Sequence, residues 1–257
     1  MLLPASLRTP VELIYRFARA ADDFADEGDL RDDERLALLA NFSAELRTIE
    51  TGTQPQTLLF RQLAALIAER HLPLSLFHDL LSAFVQDVTT KRYADLTDVM
   101  DYCRRSANPV GRLLLVLYGA ATPQNNTWSD NICSALQIIN FLQDIDIDYA
   151  NGRIYMAQDD LARFGIDEAQ FAARQVNAKW RSFMAFQIER TRAMLMAGAP
   201  LGRVLKGRIG LEMRMIIAGG ERILRKIERA DYDVFRRRPV LRSHDWALML
   251  ARTFSIR

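Results

Sequence analysis

The sequence of 257 residues predicts an all-α protein, and three of its features support this fold class. Apolar residues recur at the spacing of amphipathic helices through most of the chain, and no alternating strand pattern persists anywhere. Capping residues, glycines and prolines separate these stretches and leave only short loops. The hydrophobic content of 49% is sufficient for one large core. We therefore expect about ten helices, no convincing sheet and a single domain over 1–257.

Composition excludes several classes of protein. The formal net charge of +2 gives no overall signal for nucleic-acid binding. No stretch is long and apolar enough to span a membrane, and residues 1–4 lack the features of a signal peptide, so a cytoplasmic protein is predicted. Cys103 and Cys133 lie in apolar segments without a Cys-x-x-Cys spacing, which predicts reduced thiols rather than a disulfide or zinc site. The sequence predicts no oligomeric state.

The predicted helices follow from their start and stop signals. Thr9 caps the first helix with Pro10 at its first position, and Gly28 ends it. That helix starts close to the beginning of the chain, as it would if an N-terminal element had been trimmed. A long helix over 95–121 is expected to kink at Pro109, which lacks a backbone donor. Further helices are predicted over 32–49, 58–70, 74–89, 122–152, 171–197 and 203–230.

Two stripes of acidic side chains carry the strongest chemical signal. The first acid stripe comprises Tyr15, Arg19, Asp22 and Asp26. The second acid stripe comprises Gln137, Asn140, Asp144 and Asp148. Spacings of three or four residues place each set on one helix face, where carboxylates repel one another unless a cation lies between them. Hard oxygen ligands suit Mg²⁺, and Mg²⁺ suits phosphates, so the sequence predicts a Mg²⁺–diphosphate site that uses the four aspartates.

Other interpretations of the acids fit less well. A single helical aspartate more often faces solvent, and this is the default for Asp146, which lies on another face. A glycosidase pair usually rests on a sheet or barrel. A di-iron bundle needs Glu-x-x-His motifs, which the chain lacks. We expect His71 and His78 to be surface or supporting residues rather than metal ligands.

Two basic regions each keep two interpretations. Arg104 and Arg105 flank the predicted kink in an apolar helix, so they need anionic partners: either acids of neighbouring helices or a diphosphate. The C-terminal third is basic and is followed by the apolar stretch 246–250; it is either a solvated face or a peripheral contact with the inner face of the cell membrane. The cations concerned are Arg222, Arg225, Lys226, Arg229, Arg236, Arg237 and Arg238.

These motifs resemble those of the squalene/phytoene synthase family over nearly the whole chain. The matching segments are the first acid stripe, the second acid stripe and residues 152–159, Gly-Arg-Ile-Tyr-Met-Ala-Gln-Asp. The resemblance implies an isoprenoid synthase helical bundle with a central cavity, in which Mg²⁺ bridges diphosphates to the aspartates with help from Asn140. It implies catalytic roles for Tyr15, Arg19 and Tyr155. It also implies that prenyl diphosphate substrate is bound by Arg19, Gln137, Asn140 and Arg153. Arg104 and Arg105 are added as candidate substrate-binding residues on the interpretation that their anionic partner is the diphosphate.

Within the family, segments 16–29, 102–111 and 159–165 look closest to the branch that converts presqualene diphosphate to hydroxysqualene in hopanoid biosynthesis. That resemblance implies ionisation of the substrate and capture of the cation by water. Residues 103–106, Cys-Arg-Arg-Ser, depart from the aromatic residues usual in phytoene synthases. Head-to-head condensation of two farnesyl diphosphates to presqualene diphosphate, squalene or dehydrosqualene shares every acid motif and stays open. A non-catalytic relative acting as a binding or assembly protein would be marked by loss of an aspartate.

Overall fold

The computed structural model describes residues 4–26, 28–246 and 249, and in this part of the chain the all-α prediction is confirmed. The helices are α1 Ala5–Asp26, α2 Asp32–Glu50, α3 Leu58–Arg70, α4 Leu74–Thr89, α5 Leu96–Ser106, α6 Asn108–Leu117, α7 Pro123–Gln143, α8 Ile145–Ala150, α9 Gln158–Arg163, α10 Glu168–Ala172, α11 Ala178–Gly198, α12 Leu201–Val204 and α13 Gly207–Arg229. The two strands are β1 Arg92–Tyr93 and β2 Ile154–Ala157, and residues 243–246 are also helical.

Contacts divide the chain into two compact units. The first contains Met1–Thr90 and Tyr102–Asn126, and the second contains Lys91–Asp101 and Thr127–Arg257. The single-domain organisation and the central cavity stay predictions. Among the described residues, no helix is both long and apolar enough to cross a membrane.

A cluster of phenylalanines forms the core of the first unit and fixes α1. The ring of Phe17 in α1 is fully buried, with Phe60 of α3 at 5.8 Å and Phe77 of α4 at 5.3 Å between centroids. Both contacts have the edge-on geometry that aromatic pairs favour. Phe42 of α2 lies 5.9 Å from Phe17. Because α1 buries this face, the first acid stripe lies on its less buried side.

Helix α1 begins earlier than predicted. It starts at Ala5, so Thr9 is not its cap and Pro10 lies inside the helix. Pro10 is buried, and packing of its ring in the interior offsets the missing backbone donor. The predicted end is confirmed: Asp26 is the last helical residue, and Gly28 has a φ of 75°, the left-handed conformation common after helices.

The predicted helix over 95–121 is two helices, α5 and α6, with Ala107 between them. Pro109 lies in the first turn of α6. Backbone N–H groups in a first turn have no intrahelical acceptor, so a proline there breaks no helical hydrogen bond. The interruption expected from Pro109 is therefore confirmed. It is a break that precedes the proline rather than a kink within one helix.

The helix expected to run through the second acid stripe to Gly152 is also interrupted, and this prediction was wrong. Helix α7 ends at Gln143, and α8 begins at Ile145. Asp144 lies between them with φ −107° and ψ 14°. Residues 140–148 contain neither proline nor glycine, so no local signal marks the break.

A parallel pair of strands contradicts the prediction of no sheet. Arg92 pairs with Ile154 and Tyr93 with Ala157, with an irregularity between the two pairs. Strand β1 has two residues, too few for an alternating pattern, and all four residues of β2 are buried. Neither strand could therefore show the period of a half-buried strand.

Close helix contacts hold α7 in the second unit. A Cβ added at Gly198 of α11 would lie 2.5 Å from the Trp128 carbonyl oxygen of α7. One added at Gly220 of α13 would lie 3.1 Å from side chains of α7 and α11. The predicted helices over 171–197 and 203–230 are both shorter, because short helices α10 and α12 precede α11 and α13. The three long helices fix the segment that leads into the second acid stripe.

Candidate functional site

The first acid stripe follows the partly exposed face of α1. Tyr15 is 63% exposed, Arg19 and Asp26 are exposed, and Asp22 is half-buried. Arg19 Nη1 donates to Asp22 Oδ2 at 3.0 Å, and Arg19 Nε lies 2.8 Å from Asp23 Oδ1. One guanidinium therefore serves two carboxylates of the same helix and leaves this stretch of α1 net acidic.

Arg35 of α2 holds the carboxyl end of α1, although no sequence motif indicates it. Its guanidinium donates to the carbonyls of Phe24 at 3.0 Å, Gly28 at 2.7 Å and Leu30 at 3.1 Å. The Phe24 carbonyl belongs to the last turn of α1, where carbonyls lack intrahelical partners, and the other two belong to the loop that follows. Arg35 thereby fixes the last turn of α1, which carries Asp26.

The second acid stripe runs across the break between α7 and α8. Asn140 is exposed, whereas Gln137, Asp144 and Asp148 are half-buried. The Asp144 N–H donates to the Asn140 carbonyl at 2.9 Å, and the Asp148 N–H donates to the Asp144 carbonyl at 2.8 Å. The backbone thus keeps helical hydrogen bonds on both sides of Asp144, and the spacing of the stripe survives the break.

Asp144 is bound by Arg238, which sequence reasoning had placed only in a basic run. Arg238 Nε donates to Asp144 Oδ1, and Arg238 Nη2 donates to Oδ2 at 3.0 Å. The hydrogen bond to Asp144 raises the pKa of Arg238 above its usual value, and the nearby charge of Asp148 adds to the effect. Because the two partners are 94 positions apart in the chain, no local pattern could have found the pair.

Asp146 is half-buried and paired, so the expectation of a solvent-facing residue was wrong. Its carboxylate accepts from Arg174, with Nε 2.7 Å from Oδ1 and Nη2 2.9 Å from Oδ2. Two arginine–aspartate pairs therefore lie at the start of α8, one at its N-cap residue Asp144 and one at Asp146 in its first turn. Of these two aspartates, only Asp144 belongs to the second acid stripe.

Arg153 and Tyr155 follow α8 directly. The Arg153 N–H donates to the Asp148 carbonyl at 2.8 Å. Tyr155 lies in strand β2, and it is buried. Its ring stacks on Phe141 at 4.0 Å and on Tyr93 at 5.7 Å. Tyr155 is therefore part of an aromatic stack beside α7.

Arg104 and Arg105 lie near polar groups of α4. Arg104 Nη1 is 3.7 Å from the Asp79 carboxylate. Arg105 donates to the Ser82 hydroxyl at 3.1 Å and to the Gln86 side-chain oxygen. These contacts within the first unit support the structural interpretation, and the diphosphate role stays a prediction.

Cys103 is buried and Cys133 is half-buried, and neither forms a disulfide within the described part of the chain, as predicted. His78 Nε2 lies 2.9 Å from Glu50 Oε1.

Among the basic residues of the C-terminal third, several pair within the protein: Arg222 and Lys226 with Asp245, Arg225 with Glu221, Arg236 with Asp233. Membrane contact stays a prediction, and the stretch 246–250 lies mostly outside the described residues.

The donor set of both stripes fits Mg²⁺ better than a softer metal. The stripes contain four aspartates and two amides, Gln137 and Asn140, and neither stripe contains histidine or cysteine. Within the described ranges, no group of three or more His, Cys, Asp or Glu side chains could hold a metal by itself. Mg²⁺ commonly takes one or two carboxylates and fills its shell with water and substrate phosphates. Aspartate pairs of this kind suit a metal that arrives with a diphosphate.

An all-α protein with two such stripes belongs with enzymes that process prenyl diphosphates. The model of the squalene/phytoene synthase family matches residues 1–245, and the chain belongs to this family.

Individual relatives agree with this assignment. A hydroxysqualene synthase of Rhodopseudomonas palustris is 38% identical over 222 residues, which cover 84% of this chain and 73% of that protein. A hydroxysqualene synthase of Sinorhizobium fredii is 32% identical over 228 residues, 87% of this chain and 76% of that protein. The crystal structure of squalene synthase HpnC from Alicyclobacillus acidocaldarius is 35% identical with a TM-score of 0.84, and the match covers 90% of this chain and 86% of that one.

Proposed function

We propose that this protein ionises presqualene diphosphate and lets water capture the rearranged cation, giving hydroxysqualene and diphosphate for hopanoid biosynthesis. The observation that carries the proposal is the similarity to hydroxysqualene synthases at 38% and 32% identity. The two intact acid stripes support it, because ionisation of a carbon–oxygen bond needs stabilisation of the departing diphosphate.

The roles proposed for individual residues follow the chemistry of their side chains. Asp22, Asp26, Asp144 and Asp148 would hold Mg²⁺, with Asn140 assisting. When bound, Mg²⁺ neutralises charge that develops on the leaving diphosphate. Arg19 and Arg153 bind diphosphate oxygens, and Gln137, Arg104 and Arg105 are further candidates for substrate contact. Tyr15 and Tyr155 orient the substrate or stabilise the cation through their rings.

The proposed reaction needs no electrons from outside. The carbon–oxygen bond to diphosphate breaks, and the bonding pair leaves with the diphosphate. The cyclopropylcarbinyl cation rearranges, a water oxygen forms the new carbon–oxygen bond, and that water loses one proton. Formation of squalene from the same cation would require a hydride donor, so the two outcomes differ in whether a reductant is consumed.

The second candidate is head-to-head condensation of two farnesyl diphosphates. It is favoured by the similarity to a protein named squalene synthase, at 35% identity and TM-score 0.84. The non-catalytic alternative is disfavoured because all four aspartates are present.

The deciding experiment supplies presqualene diphosphate in one reaction and farnesyl diphosphate in another, with Mg²⁺ and without NADPH, in water enriched in ¹⁸O. We expect a C30 alcohol that carries ¹⁸O from the first reaction alone, because the hydroxyl oxygen comes from water. Mass spectrometry identifies the product and its label. Consumption of farnesyl diphosphate would assign the protein to the condensing branch, and no product from either substrate would favour the non-catalytic alternative.

A further inference from the structure

Asp144, a proposed Mg²⁺ ligand, already has a cation on both carboxylate oxygens. Arg238 donates to Oδ1 through Nε and to Oδ2 through Nη2. This is the paired arrangement in which guanidinium and carboxylate bind each other most strongly. The side chain of Asp144 is only 13% exposed, so water screens the pair less than it would at an open surface.

A segment that we call the C-terminal strap, residues 231–245, brings Arg238 to Asp144. Gln143 precedes Asp144 and donates from Nε2 to the carbonyl of Pro239 at 2.5 Å. The residue before Asp144 is therefore hydrogen-bonded to the residue after Arg238. This second contact fixes the backbone at the point from which Arg238 reaches the carboxylate.

The end of the strap is anchored on α13 by a buried carboxylate. Asp245 is fully buried, and its oxygens lie 2.7 Å from Arg222 Nε and 2.6 Å from Lys226 Nζ. Lys226 also donates to the Val240 carbonyl at 2.9 Å. The strap cannot leave α13 without breaking this ion cluster. The side chain of Arg238 is itself 45% exposed, so it can rotate into solvent while the strap stays in place.

We propose that Arg238 is a counter-ion gate for the second acid stripe. Its guanidinium neutralises Asp144 while no metal is bound, and it must leave the carboxylate before Mg²⁺ can bind there. A guanidinium on both oxygens competes with a metal ion for their lone pairs, and the two cations repel each other when both lie beside one carboxylate. Arg238 therefore lowers the Mg²⁺ affinity of the stripe. The inference rests on the proposed metal role of Asp144.

The test is calorimetric titration of Mg²⁺ into the full-length protein, with and without inorganic diphosphate. Arg238→Gln should lower the dissociation constant of Mg²⁺ about three- to tenfold. Arg237→Gln is the matched control. Arg237 is the residue before Arg238 and its side chain is exposed, so the variant removes the same charge from a neighbouring position. It should change the constant less than about twofold. Arg238→Lys should lie between wild type and Arg238→Gln, since lysine cannot engage both oxygens in the same fork.

A double variant tests whether the effect acts through Asp144. In the background of Asp144→Asn, Arg238→Gln should no longer change Mg²⁺ affinity. Unfolding temperatures measured with and without Mg²⁺ show that each variant is folded and report binding independently.

Several results would overturn the gate. These are unchanged or weaker Mg²⁺ binding in Arg238→Gln, an equal shift in Arg237→Gln, or no Mg²⁺ binding by any variant under either condition. None of the measurements uses a prenyl substrate. Tighter Mg²⁺ binding in Arg238→Gln together with no turnover of presqualene diphosphate would refute the proposed function and keep the gate.

Discussion

The two acid stripes differ in where their arginines come from. On α1, Arg19 pairs with Asp22 at 3.0 Å within the same helix. Near α8, Asp144 is paired with Arg238, 94 positions further along the chain. The first pair follows from helical spacing, whereas the second exists only because the C-terminal strap is folded against α13.

This difference predicts different responses to mutation. Exposed ion pairs within one helix contribute little, because water screens them and two long side chains must be ordered. The Arg19–Asp22 pair is of this kind, with both side chains more than one third exposed. The pair at Asp144 is better shielded and geometrically fixed. We therefore expect neutralisation of the aspartate charge by arginine to depend on tertiary structure in the second stripe and on local sequence in the first.

The largest expected effect is on turnover, when both stripes lose a carboxylate. Asp22→Asn combined with Asp144→Asn should lower turnover by at least about a thousandfold, since the departing diphosphate loses its metal-held stabilisation. Circular dichroism should show unchanged helicity. Asp146→Asn is the matched control on α8 and should retain most activity. Activity retained in the double variant would refute the metal assignment of both stripes.

The next largest effect is on protein stability. It concerns the anchor of the C-terminal strap, which carries Arg238 to Asp144 of the second acid stripe. Asp245→Asn should lower the free energy of unfolding by about 2–4 kcal/mol, because Arg222 and Lys226 lose the charge that compensates them in a buried cluster. Urea denaturation measures this change. A loss below about 0.5 kcal/mol would show that the anchor is not needed to hold the strap.

The same carboxylate predicts a pH dependence. Burial alone would raise the pKa of Asp245, but hydrogen bonds from Lys226, the Arg242 N–H and Arg222 outweigh it and hold the pKa well below its usual value. A group with a lowered folded pKa stabilises the protein above its unfolded pKa of about 4, and this stabilisation is lost as the pH falls toward the folded pKa. The stability difference between wild type and Asp245→Asn should therefore be constant between about pH 5 and 7 and shrink below about pH 4. A difference that persists unchanged at about pH 3 would contradict this origin.

The limits of prediction from the sequence follow the same contrast. The bounds of α3 and α4, and the membership of both stripes, could be predicted because local signals encode them: a capping Thr57, Pro73 before α4, and aspartates at helical spacing. The break at Asp144 could not, because nothing in 140–148 disfavours a continuous helix. The Arg238 contact could not either, since it depends on how a distant strap packs.

A smaller effect is expected at the end of α1. Arg35→Ala should lower the free energy of unfolding by about 1–2 kcal/mol, because the carbonyls of Phe24, Gly28 and Leu30 lose a charged donor. Arg31→Ala, at the N-cap residue of α2, is the control, since its pairs with Asp33 and Glu34 are exposed. It should cost less than about 0.5 kcal/mol. Equal losses in both variants would mean that Arg35 does not hold the end of α1.

The smallest effect is expected from Arg174→Gln, and it sharpens the comparison most. Arg174 grips Asp146 with the same two-point geometry that Arg238 uses on Asp144, and both aspartates flank or belong to α8. Asp146 lies outside the second acid stripe, so removal of its arginine frees no proposed metal ligand. We expect a stability loss below about 0.5 kcal/mol and no change in Mg²⁺ affinity. If Arg174→Gln instead tightened Mg²⁺ binding as much as Arg238→Gln, the cause would be the general loss of positive charge near α8, and the position of Arg238 on Asp144 would not matter.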